Sequence, residues 1–267
     1  MAVLPEGLAE RVRALQGGAL VPATPRDAAT VLLLRDAPGG VEAYLLRRVR
    51  GMAFAGGMHV FPGGSVDPAD AGADIGWAGP SAGRWAQQLG CSEPLARALV
   101  CAAVRETFEE SGVLLAGPDP DRVLDDVSTD EWEAERVALE AREQSLSELL
   151  ARRRLVLRSD LLRPFAHWIT PEVEPRRFDT RFFVAQLPQG QACRDAGSEA
   201  DRRLWVRPRE ALDADLAMMP PTATSLADVA DAPDVAAVLA APRDLRPLLP
   251  SFVLDETGSV ALRVPEA

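Results

Sequence analysis

The sequence predicts an α/β fold of the α+β kind, a mixed β-sheet flanked by helices. Three observations carry this. Two apolar runs, at 28–35 and 41–49, are separated by Asp36-Ala37-Pro38-Gly39-Gly40, which has turn chemistry; they read as an antiparallel strand pair. A helix signature begins at Ser92-Glu93-Pro94, where Ser can cap and Pro is tolerated in the first turn. It runs to Ser111 and stops at Gly112, a residue suited to the left-handed position beyond a helix end. Further apolar runs at 163–169 and 178–187 then read as strands, after a strongly charged helical stretch.

The remaining elements follow in order. Residues 51–57 are small and flexible, and His59-Val60-Phe61-Pro62-Gly63-Gly64 reads as a strand ending in a glycine turn. Residues 65–91 are loop-like at first, with Asp67-Pro68 and Gly79-Pro80, and carry Trp77 and Trp85. In the helix after them, Leu95, Leu99, Ala102 and Ala103 form the expected buried stripe. Residues 128–154, with a cap at Thr129, read as a helical insertion. Residues 204–206 continue the sheet, 208–216 and 222–241 are helical, and 259–264 form a last strand. The expectation is one domain over 1–267. Insertions fall at about 65–91 and 121–158, and a helical C-terminal part at about 208–250.

A net charge of −11 argues against sequence-independent nucleic-acid binding, which needs a basic surface. A nucleotide ligand is still allowed, because a small molecule needs only a local basic cluster and a metal. The chain has no Lys, so any basic phosphate contact comes from Arg, whose planar fork suits phosphate. Cys91, Cys101 and Cys193 are odd in number and far apart, which suggests reduced thiols and a cytoplasmic protein. Glu6, Glu10, Arg11 and Arg13 interrupt the N-terminus, so no signal peptide is expected. Nor does any apolar stretch reach the ~18 residues a membrane span requires.

Glu106, Glu109 and Glu110 stand at i, i+3 and i+4 and share one helix face. They repel one another and sit near the C-terminal end, where the helix dipole disfavours negative charge. A bound cation would hold them together, and an oxygen-only donor set points to Mg²⁺ or Mn²⁺. The alternative is a solvated acidic face.

The neighbours of these residues resemble the Nudix box. Arg105-Glu106-Thr107-Phe108-Glu109-Glu110-Ser111-Gly112-Val113 is similar to its second half, with Thr107 at an aliphatic position. Phe61-Pro62-Gly63-Gly64 is similar to its glycine-rich opening. Gly64 precedes Arg105 by 41 positions where the box has 14, and Arg97 stands where the box has its first Glu. Asp67, Asp70 and Glu93 are the open substitutes. A split box resembles a Nudix branch that includes peroxisomal-type coenzyme A diphosphatases. Trp168-Ile169-Thr170-Pro171, the segment 176–183 and Pro220-Pro221-Thr222 add to that likeness. Leu45, Arg48 and Gly57 fit part of the coenzyme A-associated pattern, whereas Ala53 and His59 depart from it.

The resemblance implies a Nudix α/β/α sandwich and metal-dependent hydrolysis of a diphosphate, with coenzyme A or acyl-CoA as substrate. The products would be 3′,5′-ADP and (acyl-)4′-phosphopantetheine. Hydrolysis of ADP-ribose or NADH is an alternative, as is a nucleotide-sensing module that does not cut. Glu106, Glu109 and Glu110 would hold the metal, Arg105 would fix their rotamers, and Gly63 and Gly64 would let the backbone pass close. Glu199 is the candidate late-loop base, with Glu172 and Glu174 behind it. Arg48, Arg176, Arg177 and Arg181 are candidate phosphate contacts, with an Arg177–Asp179 ion pair as the structural alternative. His59 and His167 read as structural, and Trp77, Trp85 and Trp168 as packing residues that are also able to stack on adenine. The expected partner is a small nucleotide substrate, with neither nucleic acid nor membrane; the family's habit of pairing allows a homodimer.

Overall fold

A computed structural model describes residues 7–52, 55–71, 75–195, 197, 200–214, 216–255 and 259–265. The elements in chain order are α1 (Leu8–Gln16), β1 (Arg26–Ala37), β2 (Gly40–Arg48), β3 (His59–Val60), β4 (Gly63–Ser65), α2 (Pro68–Ala71), β5 (Gly76–Ala78), α3 (Ala82–Leu89) and α4 (Glu93–Ser111). There follow β6 (Ala116–Gly117), α5 (Asp130–Glu140), α6 (Leu146–Arg153), β7 (Val156–Arg158), β8 (Leu162–Ile169), β9 (Phe178–Gln186) and β10 (Ala200–Val206). The chain continues through α7 (Pro208–Asp213), α8 (Pro220–Val229), α9 (Val235–Ala240), β11 (Ser251–Leu254) and β12 (Val260–Arg263).

The main sheet runs β10-β2-β1-β9-β8, with β3 beside β2 and β4 beside β1. β1 and β2 form the expected hairpin, with Leu34 opposite Ala43. β1 also pairs with β9 in parallel, from Arg26 opposite Phe178 to Leu34 opposite Gln186. Alternation splits β1 between two cores. Ala29, Val31 and Leu33 face α3, α4 and the α5–α6 pair, while Leu32 and Leu34 face α7, α8 and α9. Helices therefore cover both faces of a mixed sheet. Among the described residues, no helix is long and apolar enough to cross a membrane.

α4 is the central helix. Ser92 enters it in extended conformation, Pro94 lies in the first turn, and Gly112 closes it at φ 74°. The Gly112 N–H bonds to Phe108 O at 2.9 Å. Ala96, Leu99, Ala102 and Ala103 are fully buried, so small side chains let α4 lie close on the sheet. Leu95 is only partly covered.

Several local expectations are corrected. The first part of 65–91, expected as loop, already carries α2 and β5, and α3 follows; β5 pairs in parallel with β7 some eighty residues on. Segment 59–64 is not one strand. His59–Val60 pairs with β2 and Gly63–Ser65 with β1, and Phe61-Pro62 turns between them. The last strand is half of a separate β11–β12 ribbon, and α1 was not foreseen.

Candidate active site

β4 lies along β1 with Gly63 opposite Thr30, Gly64 opposite Ala29 and Ser65 opposite Ala28. This pairing brings the glycines against the last turns of α4 despite the long separation in sequence. The Gly63 N–H donates to Glu110 Oε2 at 2.8 Å. A Cβ on Gly64 would lie 2.6 Å from Glu106 Cδ and 2.7 Å from its Oε2. Only glycine leaves room for that carboxylate.

Arg105 is the hub. Its Nη1 donates to Glu106 Oε1 at 2.8 Å and to Glu109 Oε1 at 3.2 Å. Its Nε and Nη2 reach Asp70 at 3.1 and 3.0 Å, and Nη2 also donates to Ser65 O at 3.0 Å. Of the three open substitutes for the first box Glu, Asp70 is the one beside Arg105, and it is 3% exposed. Asp67 instead donates its N–H to Asp70 Oδ2, and its carboxylate faces Arg142. Glu93 sits at the far end of α4 near Gly83. Arg97, at the box's acidic position, lies over the Trp77 ring.

Asp70, Glu106 and Glu109 thus set three carboxylates against one guanidinium, in a place largely closed to water. Burial, only partly offset by Arg105 and aggravated by Glu109, pushes Glu106 up to about 7. Glu109 is raised for the same leading reason. Among the described residues, no three His, Cys, Asp or Glu side chains converge as a metal cage, since Arg105 holds two of the carboxylates and Gly63 N–H a third. In donor chemistry the site nonetheless fits a hard divalent cation. The candidate donors Glu106, Glu109 and Glu110 are all carboxylates, the donor type such a cation takes.

The acidic turn opens into a cavity of about 1200 Å³. The β1 and β9 residues Ala28, Thr30, Phe178, Thr180 and Phe182 form its floor. Met218, Met219 and Pro220, at the start of α8, close one side. Arg48, Arg142 and Arg176 are cationic side chains on its walls.

Arg177 and Arg181, expected on the substrate, lie elsewhere. Phe178, Thr180 and Phe182 face the cavity, so strand alternation turns Arg181 to the opposite face. Arg181 bonds to Asp179 and Asp27, and Arg177 donates to Ala23 O and Thr170 O. Asp179 pairs with Arg181 and His167 and not with Arg177. Glu199 falls outside the described residues. Glu174 lines the cavity and pairs with Arg11 at 3.8 Å, while Glu172 does not line it. His59 is buried against Ala217 O, and burial lowers its pKa. Trp77 and Trp85 pack in the α4-side core, whereas Trp168 lines the cavity. Burial pushes the Cys101 and Cys193 thiols up to about 12, which removes them as nucleophiles.

Two residues of the inserted helices escaped the sequence reading. Arg136 Nη1 donates both to Glu109 O at 2.9 Å and to Glu140 Oε2 at 2.8 Å. Glu140 also lines the cavity. A Cβ on Gly197 would find Glu109 O, Glu110 Cα and Glu140 Oε1 all within 3.9 Å, so this carboxylate sits beside the acidic turn. Its only signal in the sequence was an i, i+4 spacing from Arg136, which a solvated helix shows equally often.

The family description "NUDT19 Nudix domain" matches residues 83–226. The chain is 26% identical over 205 residues to an acyl-coenzyme A diphosphatase NUDT19 of Xenopus laevis, covering 64% of this chain and 54% of that protein. It is 29% identical over 240 residues to the protein of the same name from Gallus gallus, covering 70% and 62%. The chain therefore spans between about half and three fifths of the length of these relatives. A crystal structure of a NUDIX hydrolase from Alicyclobacillus acidocaldarius superposes with a TM-score of 0.71 at 29% identity, over 83% of this chain and 98% of that one. With the sheet, the glycine-rich strand and the acidic helix turn in place, the match over more than half of its length makes this chain a member of the Nudix hydrolase family.

Proposed function

We propose that the chain is a Mg²⁺- or Mn²⁺-dependent diphosphohydrolase that cleaves coenzyme A or an acyl-CoA into 3′,5′-ADP and (acyl-)4′-phosphopantetheine. The observation that carries this is the seating of Glu106, Glu109 and Glu110 against Gly63-Gly64 at one end of a long cavity. The names of the relatives support the substrate. Nudix hydrolases generally use divalent cations, and here such an ion would neutralise phosphate oxygens and acidify a water. Glu106, Glu109 and Glu110 are the residues to hold it.

The side chains of this protein have separable tasks. Arg105 fixes Glu106 and Glu109, and Asp70 fixes Arg105 from the other side, so the acidic turn is preorganised before ligand arrives. Gly63 N–H aims Glu110. Arg48 and Arg176 stand on the cavity wall as the candidate cations for phosphate groups of the substrate. Glu140, held by Arg136 next to Glu109, is placed to take the proton of an attacking water directly or through a second water. The reading places the enzyme in the cytoplasm and admits a homodimer, which light scattering measures.

The test is incubation with coenzyme A and Mg²⁺ and identification of the two products. Turnover of ADP-ribose or NADH with none of coenzyme A overturns the substrate and keeps the reaction class. Glu109→Gln and Glu110→Gln should each lower kcat by orders of magnitude, because removing charge from a metal ligand forfeits several kcal/mol of transition-state stabilisation. Undiminished hydrolysis by both variants would remove the metal assignment, and tight nucleotide binding without turnover of any substrate would favour a sensor.

A further inference from the structure

The β-sheet register gives the cavity a measurable length. Ser65 on β4 lies opposite Ala28 on β1, Ala28 opposite Thr180 on β9, and Thr180 opposite Trp168 on β8. All four line the cavity. Trp168 in turn bridges to Leu248, just before the β11–β12 ribbon. At about 4.8 Å per strand, Ser65 to Trp168 is about 14 Å, and Leu248 lies about 5 Å beyond.

The two ends of this row differ in chemistry. At the Ser65 end, the carbonyl of Ser65 accepts from Arg105, and the acidic turn of α4 stands above it. At the other end, around Trp168, Ile169, Pro250, Phe252 and Leu262 supply apolar lining, and the segment following Ile169 adds Thr170, Glu174 and Arg176 to the cavity wall. The ribbon that supplies Phe252 is anchored from behind, because Phe252, Leu254 and Val260 pack on Leu8, Val12 and Val173. Leu262 is 37% exposed, and of the large apolar side chains exposed among the described residues it alone lines the cavity. Burying such a side chain is favourable, so an exposed apolar wall at the far end of a binding cavity suits an apolar ligand part.

We propose that the β11–β12 end of the cavity is a binding site for the apolar tail of a thioester, a fatty acyl chain carried on the substrate. This deepens the coenzyme A reading and rests on it. An extended phosphopantetheine arm has about as many backbone bonds as four to five peptide residues, hence on the order of 15 Å at about 3.3–3.6 Å per residue. That matches the span from Ser65 to Trp168. With the diphosphate at the acidic turn, the sulfur reaches Trp168, and whatever it carries continues onto Phe252 and Leu262. Free coenzyme A ends where the ribbon begins.

The test compares decanoyl-CoA with free coenzyme A by calorimetric titration of the full chain in EDTA, with Mg²⁺-dependent hydrolysis of both measured alongside. The wild-type chain is expected to bind decanoyl-CoA at least tenfold more tightly. Leu262→Ser, at a part-exposed position that should not disturb folding, and Phe252→Ala should each shrink that preference several-fold. Affinity for free coenzyme A should stay within about twofold. Equal binding of the two ligands by the wild type, or a preference unmoved by both variants, overturns the tail site while leaving coenzyme A hydrolysis standing. A chain that hydrolyses ADP-ribose and neither binds nor hydrolyses coenzyme A overturns the substrate reading, and the tail site with it.

Discussion

Gly64→Ala isolates the contact between strand and acidic helix. The added Cβ would sit 2.6 Å from Glu106 Cδ, where ordinary contact begins near 3.4 Å, so the carboxylate has to withdraw by roughly 1 Å. Glu106 is then drawn off its 2.8 Å bond to Arg105 Nη1. The displaced group is the far end of a side chain, and folding should lose only about 1 kcal/mol. Catalysis is less tolerant: a displacement of ~1 Å in a reacting constellation costs about 10²-fold in rate. The assay is kcat for diphosphate hydrolysis across a Mg²⁺ titration, with thermal unfolding measured on the same samples. Gly63→Ala is the comparison. Its Cβ would meet Ala29 O at 2.6 Å and Thr30 Cα at 2.8 Å, atoms that cannot withdraw, so it should destabilise the fold by about 1–3 kcal/mol. Wild-type kcat and metal requirement in Gly64→Ala would refute the reasoning, since Glu106 would then have no fixed position to lose.

Other outcomes follow from the same hub. Asp70→Asn removes one of the three carboxylates around Arg105 and should destabilise by about 1–2 kcal/mol in chemical denaturation, with weaker metal binding; an unchanged midpoint would show that Arg105 is held by Glu106 and Glu109 alone. Glu106 has its folded pKa raised to about 7 against an ordinary 4.5, so the native state binds the proton more tightly than the unfolded chain. In EDTA, stability should therefore fall as pH rises from about 4.5 to 7, and saturating Mg²⁺ should flatten the slope by favouring the ionised form; equal slopes with and without Mg²⁺ would argue against metal at Glu106. Glu140→Gln should lower kcat at least tenfold with KM and melting temperature nearly unchanged, and a parallel loss in Glu140→Ala and Glu140→Gln would mark the charge rather than the packing as what matters.

Local chemistry decided which of these features the sequence displayed. The bounds of α4 were legible because Pro94 and Gly112 act within a turn of where they stand, although Ser92 begins the helix without the side-chain capping bond expected of it. The β1–β2 hairpin was legible for the same reason. The start of 65–91 looked like loop because its elements are short and held from afar. β5 leans on β7, and Ser159 Oγ donates to Ala78 O at 2.7 Å. Asp70 was one of three open acids until α2 fixed it beside Arg105, 35 residues on. The misplaced arginines have a simpler cause. Three in one short segment look like a cluster, but Arg181 and the cavity-lining Phe178, Thr180 and Phe182 alternate along one strand. Which parity faces the ligand is set by the helices on each side.

The hydrogen bond from Gly63 to Glu110 also bears on how such a site tolerates insertion. Closing a flexible loop of 41 positions in place of 14 raises the closure entropy by only about 1 kcal/mol on logarithmic scaling. The residues between are folded and contribute packing of their own through Trp85, Leu89 and Ile75. The junction between strand and helix is thus a clamp whose two jaws can be joined by almost any length of chain. New structure grafted between them changes what surrounds the clamp while leaving its grip intact.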